Sequence, residues 1–137
     1  MKLLFCATSE SIPSLTEDDQ GLIAPLAKRD IEARAAVWSD RNIPWSNADA
    51  VLIRSCWDYH LRLEEFLGWI AGLEEAGVQV WNPPAMVRWN ADKIYLRELE
   101  RRGVPIVPTL WPEEGFRLQQ ELRERAWKKA VVKSVPG

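Results

Sequence analysis

The chain has 137 residues, enough to bury a hydrophobic core, and its 18 basic and 20 acidic residues leave a net charge of -2. That balance lacks the excess of lysine and arginine needed to bind a phosphate backbone, so we expect no nucleic-acid partner. No stretch approaches the roughly 18 apolar residues of a membrane span, and the first apolar run is too short for a secretion signal. We therefore expect a cytoplasmic protein with no membrane partner.

Cysteine and histidine are scarce in this chain. Two cysteines, Cys6 and Cys56, occur without a CxxC pair, and His60 is the only histidine. This composition predicts neither a disulfide framework nor a metal site. We interpret both cysteines as buried thiols and His60 as structural, because no neighbouring nucleophile needs activation by it. Most of the eight tryptophans are expected to fill the core.

Apolar runs and helical patterns alternate along the sequence. Short runs rich in Val, Ile and Leu predict strands, and apolar residues spaced three and four apart predict helices. In chain order the predicted elements are a strand at 3–7, a helix at 16–29, a strand at 33–38, a loop at 39–49, a strand at 51–53, a helix at 63–73, a strand at 78–81, a helix at 90–103, a strand at 104–107, a helix at 116–127 and a strand at 129–135.

Two of the helices have clear ends. The helix at 63–73 has one apolar face and is closed by Gly77. Asn90 is expected to cap the next helix, with Asp92 in its first turn and Gly103 ending it. Strands that alternate with helices pair in parallel, because parallel strands require long crossover connections. The predicted class is α/β, with a doubly wound, mostly parallel, Rossmann-like sheet.

The stretch RSCWDYHLR, residues 54–62, follows the third predicted strand. In the order 2-1-3-4-5 the strand order reverses between strands 1 and 3, and ligands bind at the carboxyl ends of the strands at such a point. At this position Arg54 is suited to bind a carboxylate through two parallel hydrogen bonds, and Asp58 is suited to accept a hydrogen bond from an amine. The rings of Trp57 and Tyr59 are expected to line the site. Arg62 is placed on the same border.

A plainer interpretation of this stretch stands beside that one. Trp57 and Tyr59 are then parts of the core, Asp58 caps the following helix, and Arg54 only pairs with Asp58.

Several other classes of protein are disfavoured by missing motifs. The chain has no GxGxxG after the first strand, no GxxxxGK[ST], no acidic pair for a receiver domain, and no Ser-His-Asp set that one histidine could complete.

The stretches NPPAMVRWNADKIYLRELERRGVPIVPT, residues 82–109, and AVVKSVPG, residues 130–137, resemble the N-terminal part of a glutathione-synthetase-like ATP-grasp ligase. RSCWDYHLR is also similar to that group's pattern. The resemblance implies a pre-ATP-grasp substrate-side domain at 1–109 and an incomplete start of the ATP-binding subdomain at 110–137. It also implies that Lys93, which follows Asp92 in the first turn of a helix, and Lys133, in the first strand of that subdomain, bind ATP.

The activity implied by the resemblance is that of an ATP-dependent carboxylate-amine ligase, which forms an acyl phosphate on an amino-acid- or peptide-like substrate with ATP and Mg2+. No catalytic residue or metal ligand is assigned within the chain, since the family's acidic ligands lie further on. The chain is thus expected to be cut short and incomplete as an enzyme. A non-catalytic, free-standing α/β ligand-binding or interaction module is the alternative. Substrate identity and homo-oligomer formation are left open.

Overall fold

The structure, a computed structural model, describes residues 1–133. Contacts within the chain group it into two compact units, Met1–Asp92 and, over the described residues, 93–133. The domain boundary predicted after residue 109 stays a prediction. None of the helices in residues 1–133 has the length and apolar character needed to cross a membrane.

The first unit is built on a four-stranded, all-parallel sheet. Its strands are β1 Lys2–Thr8, β2 Ile31–Val37, β3 Ala50–Ser55 and β4 Gln79–Trp81. They lie in the order β2-β1-β3-β4, which confirms the predicted α/β class and the predicted order of the first four strands. The reversal of strand order therefore falls between β1 and β3, as expected.

Three helices of this unit lie between strands, and a fourth follows β4. They are α1 Glu17–Gln20, α2 Ile23–Ala27, α3 Leu63–Glu75 and α4 Pro84–Asn90, with single 3-10 turns at Trp45–Asn47 and Tyr59–Arg62. The predicted helix at 16–29 is wrong as one element, because it divides at Gly21 into α1 and α2. Pro25 has no backbone N–H, so it could not donate the hydrogen bond that would continue α1 as one long helix. In the first turn of a separate helix the backbone N–H has no partner within the helix, so proline is tolerated there. The 39–49 connection contains one turn, as predicted.

The helix α3 forms where the sequence pattern predicted it. Phe66, Ile70 and Leu73 are its buried face, and they pack on the sheet with Val51 and Trp38 in the main core cluster. Gly77 ends it at φ 69°, a conformation that a side chain disfavours. The N–H of Val78 donates to the carbonyl of Leu73 at 3.0 Å, which satisfies a group left over at the helix end.

The second unit contains α5 Tyr95–Arg101 and α6 Leu118–Glu124. Gly103, at φ 79°, lies just beyond α5 as predicted, but the predicted start at Asn90 is wrong, because that residue ends α4. Pro84 explains the unpredicted helix, since proline favours the first turn. Residues 116–127 contain α6, in agreement with the predicted helix.

Two predicted strands are not found in the described part of the second unit. Residues 104–107 are irregular, and the side chain of Val107 is 81% exposed. Pro105 and Pro108 cannot donate to a ladder, which explains why this apolar run does not pair. Residues 129–133 are also irregular, and positions 134 and 135 of that predicted strand lie outside the described residues. An isolated strand would leave its N–H and C=O groups unpaired.

Candidate functional site

The carboxyl ends of three neighbouring strands meet at one edge of the sheet. Thr8, at the end of β1, is level with Val37 of β2 and with Ser55 of β3. Parallel strands place their carboxyl ends on the same side. The residues that follow β1, β2 and β3 are consequently neighbours. The polar side chains at this edge form two clusters, one around Asp19 and Arg54 and one around Asp58 and Arg62.

Arg54 is held by a buried carboxylate from α1. Its Nε donates to Oδ1 of Asp19 at 2.6 Å, and the Oγ of Ser55 donates to Oδ2 of the same carboxylate at 3.4 Å. Asp19 is 3% exposed, whereas the side chain of Arg54 is 53% exposed. The N–H of Asp19 donates to Oγ1 of Thr16 at 3.3 Å, which anchors the start of α1.

Asp19 keeps its negative charge although the side chain is buried. Desolvation by burial raises the pKa of this carboxyl, but the hydrogen bond and the charge of Arg54, with a hydrogen bond involving Thr16, outweigh it and leave the pKa below its ordinary value. The same pairing raises the pKa of Arg54. Both groups are therefore ionised near neutral pH and form a true ion pair.

Asp58 joins the ends of β1 and β2. Its Oδ1 accepts a 2.7 Å hydrogen bond from Nε1 of Trp38, and its Oδ2 accepts from the backbone N–H of Glu10 at 3.2 Å. Asp58 makes no side-chain cap to the turn that follows it, and its side chain is 13% exposed. The capping role and the pairing with Arg54 considered for Asp58 are therefore both absent.

Arg62 lies among carboxylates. Its terminal nitrogens are 2.9 Å from Oε1 of Glu10, 3.6 Å from Oε2 of Glu65 and 3.8 Å from Oδ2 of Asp58. Ser39 also donates to Oε1 of Glu10, at 2.7 Å. Hydrogen bonds from Ser39 and from Arg62 lower the pKa of Glu10. The guanidinium of Arg62 is thus already neutralised by the protein.

The two aromatic residues of the stretch differ in position. Trp57 is 57% exposed, so its ring is free to cover a ligand. Tyr59 packs against the core, with its ring centroid 5.1 Å from that of Phe66. His60 contacts the carbonyl of Trp57 through Nδ1 at 3.0 Å, a structural contact. For Tyr59 the core interpretation is therefore the one that matches the geometry.

The two candidate ATP lysines lie in the second unit. Lys93 is in the turn ahead of α5, and its carbonyl accepts from the N–H of Leu96 at 3.0 Å. The prediction that Lys93 lies within the first helical turn is wrong, because α5 begins only at Tyr95. Lys133 is exposed and in irregular chain. Within residues 1–133 no group of three or more His, Cys, Asp and Glu side chains is arranged to hold a metal ion.

The part of the chain that is similar to a known family contains the sheet and its polar edge. The model of the family described as the D-cycloserine synthetase DcsG, N-terminal domain, matches residues 4–82. The chain belongs to this family. The match to the DcsG N-terminal domain includes residues 54–62 and Asp19, and it stops short of Lys93 and Lys133.

A curated sequence and a crystal structure, both named DcsG, are similar to the chain. The cycloserine biosynthesis protein DcsG of Streptomyces lavendulae is 37% identical over 79 residues, which are 58% of this chain and 26% of that protein. A crystal structure of D-cycloserine synthetase DcsG superposes with a TM-score of 0.73 at 29% identity, and it covers 91% of this chain and 43% of the solved chain. The chain therefore spans less than half the length of either relative.

Part of these two clusters in the DcsG-like domain was not predicted. Glu10, Asp19, Trp38 and Ser39 are not among the residues predicted to border the substrate. Trp38 and Ser39 directly follow a strand, a position that marks the ligand edge of a parallel sheet. Asp19 carries no such signal, because it reaches the site from a helix that precedes β2.

Proposed function

We propose that this chain is the N-terminal, substrate-side part of an ATP-dependent carboxylate-amine ligase that acts through an acyl phosphate. The observation that carries the proposal is membership of the DcsG N-terminal domain family over residues 4–82, which contain the sheet edge with Arg54. Similarity to a protein named as a synthetase favours a ligase over a non-catalytic module as the function of this chain.

In this proposal Arg54 binds the substrate carboxylate. Its guanidinium lies at the carboxyl end of β3, is half exposed and is held in place by Asp19. Planar guanidinium and carboxylate groups form two parallel hydrogen bonds, which orient the substrate. Trp57, three residues further along the chain, is exposed and would exclude water from that contact.

The other residues of the stretch support this site. Asp58 and Arg62, first predicted to border the substrate, are engaged with Trp38, Glu10 and Glu65. We assign them to holding the strand ends together. Tyr59 supports the turn through its contact with Phe66.

The ATP part of the proposal depends on the second unit. Lys93 and Lys133 would supply positive charge to the phosphates, as the ATP-grasp resemblance implies. ATP, when bound, supplies the phosphoryl group that activates a carboxylate. Residues 1–133 hold no group of three or more carboxylate, His or Cys ligands, and the ATP-grasp resemblance assigns no Mg2+ ligand to them.

The expected substrate class is a small amino-acid-like or peptide-like molecule that carries a carboxylate and an amine. The relatives are named for D-cycloserine, and this supports a small amino-acid derivative. The net charge of -2 over the chain is also compatible with a small zwitterion and gives no attraction for polyanions.

The test is an ADP-release assay on the polypeptide encoded by the complete gene. With Mg2+, we expect ADP formation only when ATP and a carboxylate substrate are both present, with D-serine among the first amino acids tried. A stop codon directly after Gly137, together with no ADP formation, would contradict the ligase proposal and support the free-standing binding module.

A further inference from the structure

The guanidinium of Arg54 has two separate hydrogen-bonding sides. Nε donates to Asp19 at 2.6 Å, and within residues 1–133 no carboxylate other than Asp19 pairs with this arginine. A guanidinium carries five N–H donors, so the end formed by Nη1 and Nη2 still has donors to offer. The side chain as a whole is 53% exposed, and its Nε side is the one in contact with the buried Asp19.

Arg62 provides the comparison within the same site. Three carboxylates, those of Glu10, Asp58 and Glu65, lie within 3.8 Å of its nitrogens. A substrate carboxylate at Arg62 would meet like charges, which disfavour it. Of the two arginines in residues 54–62, Arg54 pairs with a single carboxylate of the protein and has N–H donors left for a ligand.

Asp19 is suited to fix the position of Arg54 because it cannot move away into water. It is 3% exposed, it also accepts from Ser55 at 3.4 Å, and its backbone is tied to Thr16 at the start of α1. A buried carboxylate that lost its cationic partner would be strongly unfavourable, so the pair stays formed. The flexible arginine side chain is thereby restricted before any ligand arrives, which lowers the entropy lost on binding.

We propose that Asp19 is a positioning residue that holds Arg54 by its Nε side, so that the Nη1 and Nη2 end receives the carboxylate of a small amino-acid substrate. This inference rests on the proposed function, because it requires Arg54 to bind that carboxylate. It adds a residue from α1 and assigns Arg54, not Arg62, the selection of carboxylates.

The first experiment compares D-serine with D-serinamide, which differ at the carboxylate. Binding to the 137-residue chain is followed by 15N NMR titration. The wild type is expected to bind D-serine at least tenfold more tightly than the amide. Asp19→Asn keeps the shape of the side chain but removes its charge, and it is expected to reduce this preference about tenfold. Glu10→Gln makes the same change beside Arg62 and should leave the preference intact.

The outcomes separate the two claims. If Arg54→Ala abolishes the preference but Asp19→Asn retains it, Asp19 does not position Arg54 and the inference fails, while carboxylate binding by Arg54 stands. If the wild type shows no preference, or if Arg54→Ala retains it, Arg54 is not the carboxylate site and that part of the proposed function fails with the inference. A general loss of fold in Asp19→Asn would weaken both ligands alike and is checked by its thermal midpoint.

A second measurement uses only the wild type and so does not depend on the folding of a variant. The Hε resonance of Arg54 is expected to exchange slowly with water in the free protein, because Asp19 accepts it. Its Hη resonances should sharpen and shift only when D-serine is added. A ligand-induced change confined to Hε would overturn the assignment of the two sides.

Discussion

The guanidinium carbon of Arg62 lies 4.8 Å from the centroid of the Trp38 ring, and Nε1 of that ring donates to Asp58 at 2.7 Å. Trp38 itself is 2% exposed and packs edge-on against Phe66, with ring centroids 5.2 Å apart. A single tryptophan after β2 therefore connects the charged network at the sheet edge with the hydrophobic core.

Trp38→Phe should destabilise the first unit by about 2 to 3 kcal/mol, since it leaves the nearly buried Oδ1 of Asp58 without its donor and removes packing. Urea unfolding followed by circular dichroism measures this. Trp57→Phe is the matched control, because Trp57 is 57% exposed, and it should change stability by less than about 0.5 kcal/mol. Equal effects of both substitutions would contradict the role assigned to Trp38.

Asp19 should make the stability of the fold depend on acid pH. Its folded-state pKa is below the value of about 3.9 expected in the unfolded chain, so its contribution is full above that pH and is lost as pH falls through the folded pKa. Asp19→Asn should cost about 1 to 2 kcal/mol at pH 7, and the difference from wild type should shrink toward pH 2.

Urea unfolding between pH 2 and pH 7 measures this difference. Asp18→Asn is the control, because Asp18 is an exposed residue of the same short helix, and this variant should follow the wild-type profile. A constant difference between Asp19→Asn and wild type at every pH would show that the ionised form of Asp19 is not what stabilises the fold.

Both cysteines should resist thiol reagents in the folded protein. Burial raises the pKa of Cys56 to about 12, and burial followed by the charge of Asp19 raises that of Cys6. Thiolate is the reactive form, so reaction with Ellman's reagent at pH 8 should be at least about a hundredfold slower than in denaturant. Fast labelling of either cysteine in the native state would contradict this.

A disulfide between the two cysteines is not expected. Thr8 is level with Ser55, so Cys56 follows at the level of Ser9, three residues beyond Cys6. At about 3.3 Å per residue along a strand and about 4.8 Å between strands, the Cα atoms are about 11 Å apart, beyond the roughly 7 Å that a disulfide allows. Mass spectrometry after mild oxidation should find both thiols free.

In the proposed ligase, Arg54→Ala should weaken binding of the carboxylate substrate by about 2 to 4 kcal/mol and leave ATP affinity nearly unchanged. Lys93→Ala should do the reverse. Isothermal titration of both variants of the complete polypeptide, with ATP and with the amino-acid substrate separately, measures the two affinities. Loss of ATP binding in Arg54→Ala would show that the arginine is structural.

Local signals determined most of the first unit. The apolar spacing of Phe66, Ile70 and Leu73 with Gly77 beyond predicted α3, and short apolar runs predicted β1 to β4. These signals work because each concerns residues within a turn or two of one another. The same reasoning failed at 104–107, where an apolar run that contains Pro105 and is followed by Pro108 does not pair. Hydrophobic pattern predicts burial, but a strand also requires a partner for its backbone groups.

The candidate site shows the same difference between what local sequence patterns predict and what depends on the tertiary structure. The alternation of strands and helices was enough to place residues 54–62 at the switch point of a parallel sheet. Only the tertiary structure decided which charges pair there. Arg54 pairs with Asp19, 35 residues away, and not with Asp58, while Asp58 binds Trp38 across 20 residues. An ion pair depends on which side chains the fold brings within about 4 Å, and no local pattern in the sequence encodes that distance.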